Sequence, residues 1–84
     1  MSKKHEKTLK AVFSVPTSGG IAWRDIEALF KSLGAEISEG RGSRVRVILN
    51  GVFAVFHRPH PQKEACKGAV EAVRSFLKNA GVKS

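Results

Sequence analysis

Gly40-Arg41-Gly42-Ser43-Arg44-Val45-Arg46-Val47-Ile48-Leu49-Asn50-Gly51-Val52-Phe53-Ala54-Val55-Phe56-His57-Arg58-Pro59-His60-Pro61 is the stretch whose reading decides the fold. Apolar residues alternate through Val45, Val47 and Leu49, the period of a half-buried strand. Asn50-Gly51 follows, and a type I′ hairpin turn needs positive φ at both central positions, which Asn and Gly tolerate. A two-residue loop also sets the register. Leu49 then faces Val52, Val47 faces Ala54, and Val45 faces Phe56, so one side of the hairpin is wholly apolar. The other side carries Arg44, Arg46, Ile48, Phe53, Val55 and His57, with Arg44 directly opposite His57. One face reads as core, the other as a cationic surface ending in an imidazole.

Outward from the hairpin, the period changes to that of helices. Downstream, Pro59 and Pro61 stop the strand, and Pro61 fits the first turn of a helix, where its missing amide costs nothing. That helix is expected to run to about Ala80, with Cys66, Ala69, Val70, Val73, Phe76, Leu77 and Ala80 on one face and Gly81 as its cap. On this reading Cys66 is a buried structural thiol. Gly68 inside the helix costs about 1 kcal/mol relative to Ala, which points to close packing or to the approach of a partner. Upstream, Ala35 to Glu39 reads as a short strand. Trp23, Ile26, Phe30 and Leu33, with Leu29 beside them, form the stripe of a helix that has Asp25 in its first turn and Gly34 as its cap. Ser2 to Ser14 reads as a further short helix with Leu9, Val12 and Phe13 on one face and lysines on the other. Pro16, Ser18, Gly19 and Gly20 follow as a mobile linker. The expected division is an N-terminal helix and linker over residues 1–20 and a main domain over residues 21–84. The expected class is α+β, a three-stranded antiparallel sheet with helices on one face and the other face open.

At 84 residues the chain has room for one modest core. Fifteen Lys and Arg against seven acids give a net charge of +8, which favours a polyanionic partner: nucleic acid ahead of a membrane, or an acidic protein. A basic domain without such a partner satisfies the same composition. The single cysteine excludes an internal disulfide and a thiolate metal cage. No apolar run approaches the roughly 18 residues of a membrane span, and the N-terminal residues lack the features of a signal peptide. The expected location is the cytoplasm. His57 and His60 flank Arg58-Pro59 without a Cys or carboxylate at ligand spacing, so no metal and no cofactor is expected. Gly40-Arg41-Gly42-Ser43 lacks the Lys-Ser/Thr ending of a phosphate-binding P-loop and reads as a turn.

Several stretches coincide with one family. Phe30-Lys31-Ser32-Leu33-Gly34-Ala35 ends the helix before the sheet, and Gly42-Ser43 opens the second strand. A His-Pro stretch precedes the last helix, with Lys67-Gly68-Ala69-Val70 and Leu77-Lys78-Asn79-Ala80-Gly81-Val82 within and after it. In this order and spacing, roughly residues 23 to 83 resemble the HicA toxins of type II toxin–antitoxin systems. The resemblance implies an α-β-β-β-α fold like that of double-stranded-RNA-binding domains, cleavage of messenger RNA without a cofactor, and neutralisation by an acidic HicB-like antitoxin. One departure concerns the chemistry. The family pattern reads Gly-Ser-His where this chain has Gly42-Ser43-Arg44, and that histidine is the residue held responsible for cleavage. Arginine stays protonated and cannot act as a general base, but it can hold a phosphate and stabilise the charge that develops on it.

RNA cleavage of this kind needs a group to take the 2′-hydroxyl proton, a group to protonate the departing 5′-oxygen, and a cation on the transition state. Histidine suits the proton steps, with an ordinary pKa of about 6.5. Directly opposed residues of a hairpin stand about 4.5–5.5 Å apart at Cβ, so His57 is expected beside Arg44. The resulting assignment makes His57 the proton-transfer candidate and His60 its second. Arg44 and Arg46 form the phosphate clamp, with Arg41, Ser43 and Arg58 as further RNA contacts. Two other readings stand beside it. His57 and His60 can be surface residues at a strand end that touch only the antitoxin, or the chain can be an RNA-binding module of the same fold without activity.

Overall fold

A computed structural model describes residues 2–59 and 63–83. In chain order these form α1 (Lys3–Phe13), β1 (Ile21–Ala22), α2 (Trp23–Ser32), β2 (Glu36–Glu39), β3 (Arg44–Leu49), β4 (Val52–His57), β5 (Glu64–Ala65) and α3 (Lys67–Asn79). β2, β3 and β4 make an antiparallel sheet with β3 in the middle, while β1 and β5 pair in a separate two-stranded ribbon. The α+β class expected from the sequence is the one found. α2 and α3 pack against the sheet, and α1 rests on both of them.

The turn has the geometry its residues favour. Asn50 and Gly51 hold φ of 51° and 80°, and the strands pair Leu49 with Val52, Val47 with Ala54, Val45 with Phe56 and Arg44 with His57. Asn50 also donates from Nδ2 to the Ala80 carbonyl at 2.8 Å, which ties the turn to the end of α3. Val45, Val47, Leu49 and Phe56 are buried under the helices. They meet Trp23, Ile26, Leu29 and Phe30 of α2, Val70, Val73, Phe76 and Leu77 of α3, and Leu9 and Val12 of α1. At the centre, Phe30, Phe56 and Phe76 stand 5.6–5.7 Å apart between ring centroids, one pair stacked and two edge-on. Such pairs contribute about 0.5–1.5 kcal/mol each beyond the area they bury.

Two expectations give way around the ends of this core. The last helix starts at Lys67, because Glu64 and Ala65 are drawn into pairing with Ala22 and Ile21. The expected placement of Pro61 in its first turn falls outside the described residues. Cys66 therefore stands at the N-cap position, exposed and without a side-chain cap bond, and the buried small residue at this end is Ala65. The chain leading out of α1 is joined to α3 by hydrogen bonds. Arg74 of α3 donates to the Val12 carbonyl at 2.9 Å, the Ser14 carbonyl at 3.0 Å and Thr17 Oγ1 at 3.1 Å, and Thr17 donates to Glu71 at 3.0 Å. Arg74 thus satisfies carbonyls that the end of α1 leaves open. Gly68 is exposed, with nothing within 4 Å of where a Cβ would stand, so packing inside the chain does not account for it.

The Phe30 ring is fully buried and touches both other members of the aromatic cluster. Phe30→Ala is expected to lower unfolding stability by about 3–5 kcal/mol, measured by urea denaturation. That is a large part of the roughly 5–15 kcal/mol typical of a domain.

Candidate functional site

The face of the sheet away from the helices is laid out in three rows by the pairing. Glu36, Ile48 and Phe53 lie across the turn end; Ser38, Arg46 and Val55 lie across the middle; Arg44 and His57 lie opposite each other at the far end. All eight are exposed. Two further bonds extend the ladders past the far row: the Gly40 amide donates to the Arg44 carbonyl, and the Arg58 amide to the Ser43 carbonyl, each at 2.8 Å. The backbone around Arg44 and His57 is therefore held from both sides. A side chain at position 40 would bring its Cβ to 3.0 Å from the Cβ of Arg44, so glycine there leaves Arg44 its place. Arg41, Arg44 and Arg46 line a shallow depression together with Gly40, Phe53 and Val55. Among the described residues none of these three arginines is in an ion pair.

Arg58 is placed differently. It is one residue past His57, so the pleat turns it to the helix side. There its Nε and Nη2 donate to the two oxygens of Glu27 on α2 at 2.8 and 3.0 Å, and its Nη1 reaches Glu39 at the end of β2. Opposite charge and hydrogen bonds act on both partners. Arg58 holds the Glu27 carboxyl below its ordinary range against the opposing pull of burial, and the two carboxylates raise the guanidinium further. The Trp23 indole N–H is buried and adds a weaker pull on Glu27, although it makes no hydrogen bond of good geometry.

Of the site residues expected from the sequence, His57, Arg44 and Arg46 come together on the open face, with Arg41 and Ser43 in the loop at its edge. Arg58 lies on the other side of the sheet, where all three of its nitrogens bond to Glu27 or Glu39, and His60 lies outside the described residues. The two-residue period, extended one step past His57, gives the side to which Arg58 turns; the carboxylates that meet it there, Glu27 and Glu39, come from two other elements and are not readable from that period. A larger concavity of about 780 Å³ lies on that helix side, between α2 and the chain around Arg58, Pro59 and Lys63. Its Glu27 and Glu64 offset part of its positive charge, and one of its cations, Arg58, is already paired. The open face keeps Arg41, Arg44 and Arg46 out of ion pairs among the described residues, beside the His57 imidazole.

The family model described as HicA toxin of bacterial toxin–antitoxin matches residues 23–82. That is most of the chain. The chain belongs to the HicA toxin family. Its role is that of the toxin in such a system, and the match spans the sheet, α2 and α3, leaving α1 and β1 outside. Comparison with curated proteins and with solved structures found no significant match. No helix among the described residues of this HicA toxin is long and apolar enough to cross a membrane.

The Glu27–Arg58 pair has a pH signature. Because the folded-state pKa of Glu27 is lowered from 4.5, the pair's stabilisation is fully present above the unfolded-state value and is lost as pH falls through the folded one. Urea melts from about pH 7 down to about pH 3 should show stability declining on acidification, and Glu27→Gln should flatten part of that decline.

Proposed function

We propose that the chain is a ribonucleolytic toxin that cleaves messenger RNA in the cytoplasm at the open sheet face, with His57 moving the proton and Arg44 and Arg46 holding the phosphate. The observation that carries this reading is the pairing of Arg44 with His57 at the exposed end of a cationic face. The two groups share one row, on backbone fixed from both flanks. An RNA phosphate held between Arg44 and Arg46 lies within reach of the His57 ring. His57 takes the proton of the neighbouring 2′-hydroxyl, the 2′-oxygen bonds to phosphorus, and the bond to the 5′-oxygen breaks. That oxygen needs a proton, for which His60 is the candidate acid. The arginines stabilise the added negative charge at phosphorus, as cations aimed at developing charge do.

Arg44 occupies the position of the family histidine, and His57 faces it across the hairpin. The imidazole therefore comes to the phosphate from the neighbouring strand. Arg58, already shared by Glu27 and Glu39, is better suited to fixing the end of β4 than to touching RNA. An acidic antitoxin of the HicB kind is the natural protein partner for the same face, since it would neutralise Arg41, Arg44 and Arg46 while covering His57.

A second reading has one observation in its favour: with Arg44 in place of the family histidine, the face keeps its cations but loses one proton-transfer group. The chain would then bind RNA without cutting it. Substitution at His57 separates the two. His57 is exposed, so His57→Ala should fold normally and lose about 10²–10⁴-fold in RNA cleavage on a gel assay, with growth arrest on induction lost as well. Arg44→Ala should cleave more weakly through lost phosphate contact. Equal cleavage by parent and His57→Ala would remove His57 from the mechanism, and a parent that binds RNA without cleaving it would establish the binding module.

Charge reversal of Arg44 and Arg46 together should weaken antitoxin binding in a salt-sensitive manner, measured by titration of the purified pair.

A further inference from the structure

Phe53 is 58% exposed, Val55 45% and Ile48 41%, and the three are neighbours on the open face. Ile48 is directly opposite Phe53, and Val55 is two residues along the same strand, directly opposite Arg46. A phenylalanine left more than half in water on a folded surface, within a contiguous apolar patch, marks a surface for binding. The patch is edged by arginines, since Phe53 and Val55 share their depression with Arg41, Arg44 and Arg46. β4 is an outer strand of its sheet, so the ring can be approached from the side as well as from above.

We propose that this face binds RNA as a single strand, with an unpaired base stacked on the Phe53 ring and the flanking phosphates on Arg41, Arg44 and Arg46. The proposal deepens the reading of the open face as an RNA site and rests on it. Two features favour this occupant. Unpaired arginines beside an exposed aromatic ring match the alternation of phosphate charge and base π-face in a single strand. In a duplex those π-faces are stacked on one another and turned away from the protein, so an A-form helix offers the ring nothing to stack on. The layout also gives the site a direction. Phe53 and His57 are four residues apart on one strand, about 13 Å at the usual rise, so the stacked base sets which phosphate reaches Arg44 and His57. Phe53 would thus act as a specificity residue, selecting unpaired segments and fixing the position of the cut relative to the base it holds.

The test uses the full chain carrying His57→Ala, so that bound RNA stays intact. The probes are a short single-stranded RNA with 2-aminopurine at one position and the duplex of the same sequence, with affinity read by anisotropy and stacking by fluorescence quenching. The single strand should bind more tightly and be quenched. Phe53→Ala should weaken it by roughly 5- to 150-fold, the range of one base–aromatic stack, and leave duplex affinity unchanged. Phe53→Trp should retain binding, and Phe53→Leu, which keeps apolar area without a ring, should behave like Phe53→Ala. Unchanged single-strand affinity in Phe53→Ala overturns the proposal. So does equal, Phe53-independent binding of duplex and single strand, or a Phe53→Ala variant that loses only its grip on an acidic protein partner. Phe53-dependent binding of the single strand by a parent chain that cleaves nothing would uphold the stacking site and defeat the ribonuclease reading alone.

Discussion

Positive φ at Asn50 and Gly51 is the constraint on which both halves of this molecule depend. A two-residue turn leaves one register for the strands it joins, and the period of two then divides their side chains between faces. A slip of one residue would carry Val45, Val47 and Phe56 into water and Arg44, Arg46 and His57 into the core. Burial of the apolar set and exposure of the cationic set are therefore a single structural fact. Asn50 reinforces it from outside the sheet, since its side-chain amide binds the last carbonyl region of α3 at Ala80. The turn that sets the register also fastens the hairpin to the helix it packs against.

The arginines show how position decides what a residue does. Arg58 and Arg74 face the helix side, and each is matched to oxygen acceptors: carboxylates of Glu27 and Glu39 for one, carbonyls of Val12 and Ser14 for the other. They hold elements together. Arg41, Arg44 and Arg46 face away from the helices and have no acidic partner among the described residues. Leaving three cations of one sign close together raises mutual repulsion, which a bound polyanion would relieve. These three supply only part of the fifteen Lys and Arg behind the net charge of +8; what sets them apart is that they lie together without an acidic partner.

Most of the fold was legible because it is written in strong periods. Trp23, Ile26 and Phe30 repeat at helical spacing, Val45, Val47 and Leu49 at strand spacing, and all six are buried as those periods require. The family could be read from the spacing of short stretches around the same elements. The ribbon has no period to read. β1 and β5 are two residues each, and Ile21 pairs with Ala65 across more than forty positions of sequence, so nothing local announces the ribbon. That hidden pairing delayed the start of the last helix, moved Cys66 from the expected apolar face to an exposed N-cap position, and is extended by the Gly20 amide bond to the Ala65 carbonyl. The site divides in the same way. Arg44 opposite His57 followed from the turn alone, whereas the Glu27–Arg58–Glu39 clamp joins three elements and depends on how α2 lies across the sheet.

Analysis of the RNA ends tests the central claim most directly. Purified toxin is incubated with a single-stranded messenger fragment in the presence of a metal chelator, and the products are examined for the groups at the cut. Proton transfer by an imidazole beside an arginine-held phosphate predicts persistent cleavage, with a 2′,3′-cyclic phosphate on one fragment and a 5′-hydroxyl on the other. Fragments ending in 3′-hydroxyl and 5′-phosphate, or cleavage that stops when metal is removed, would contradict the account.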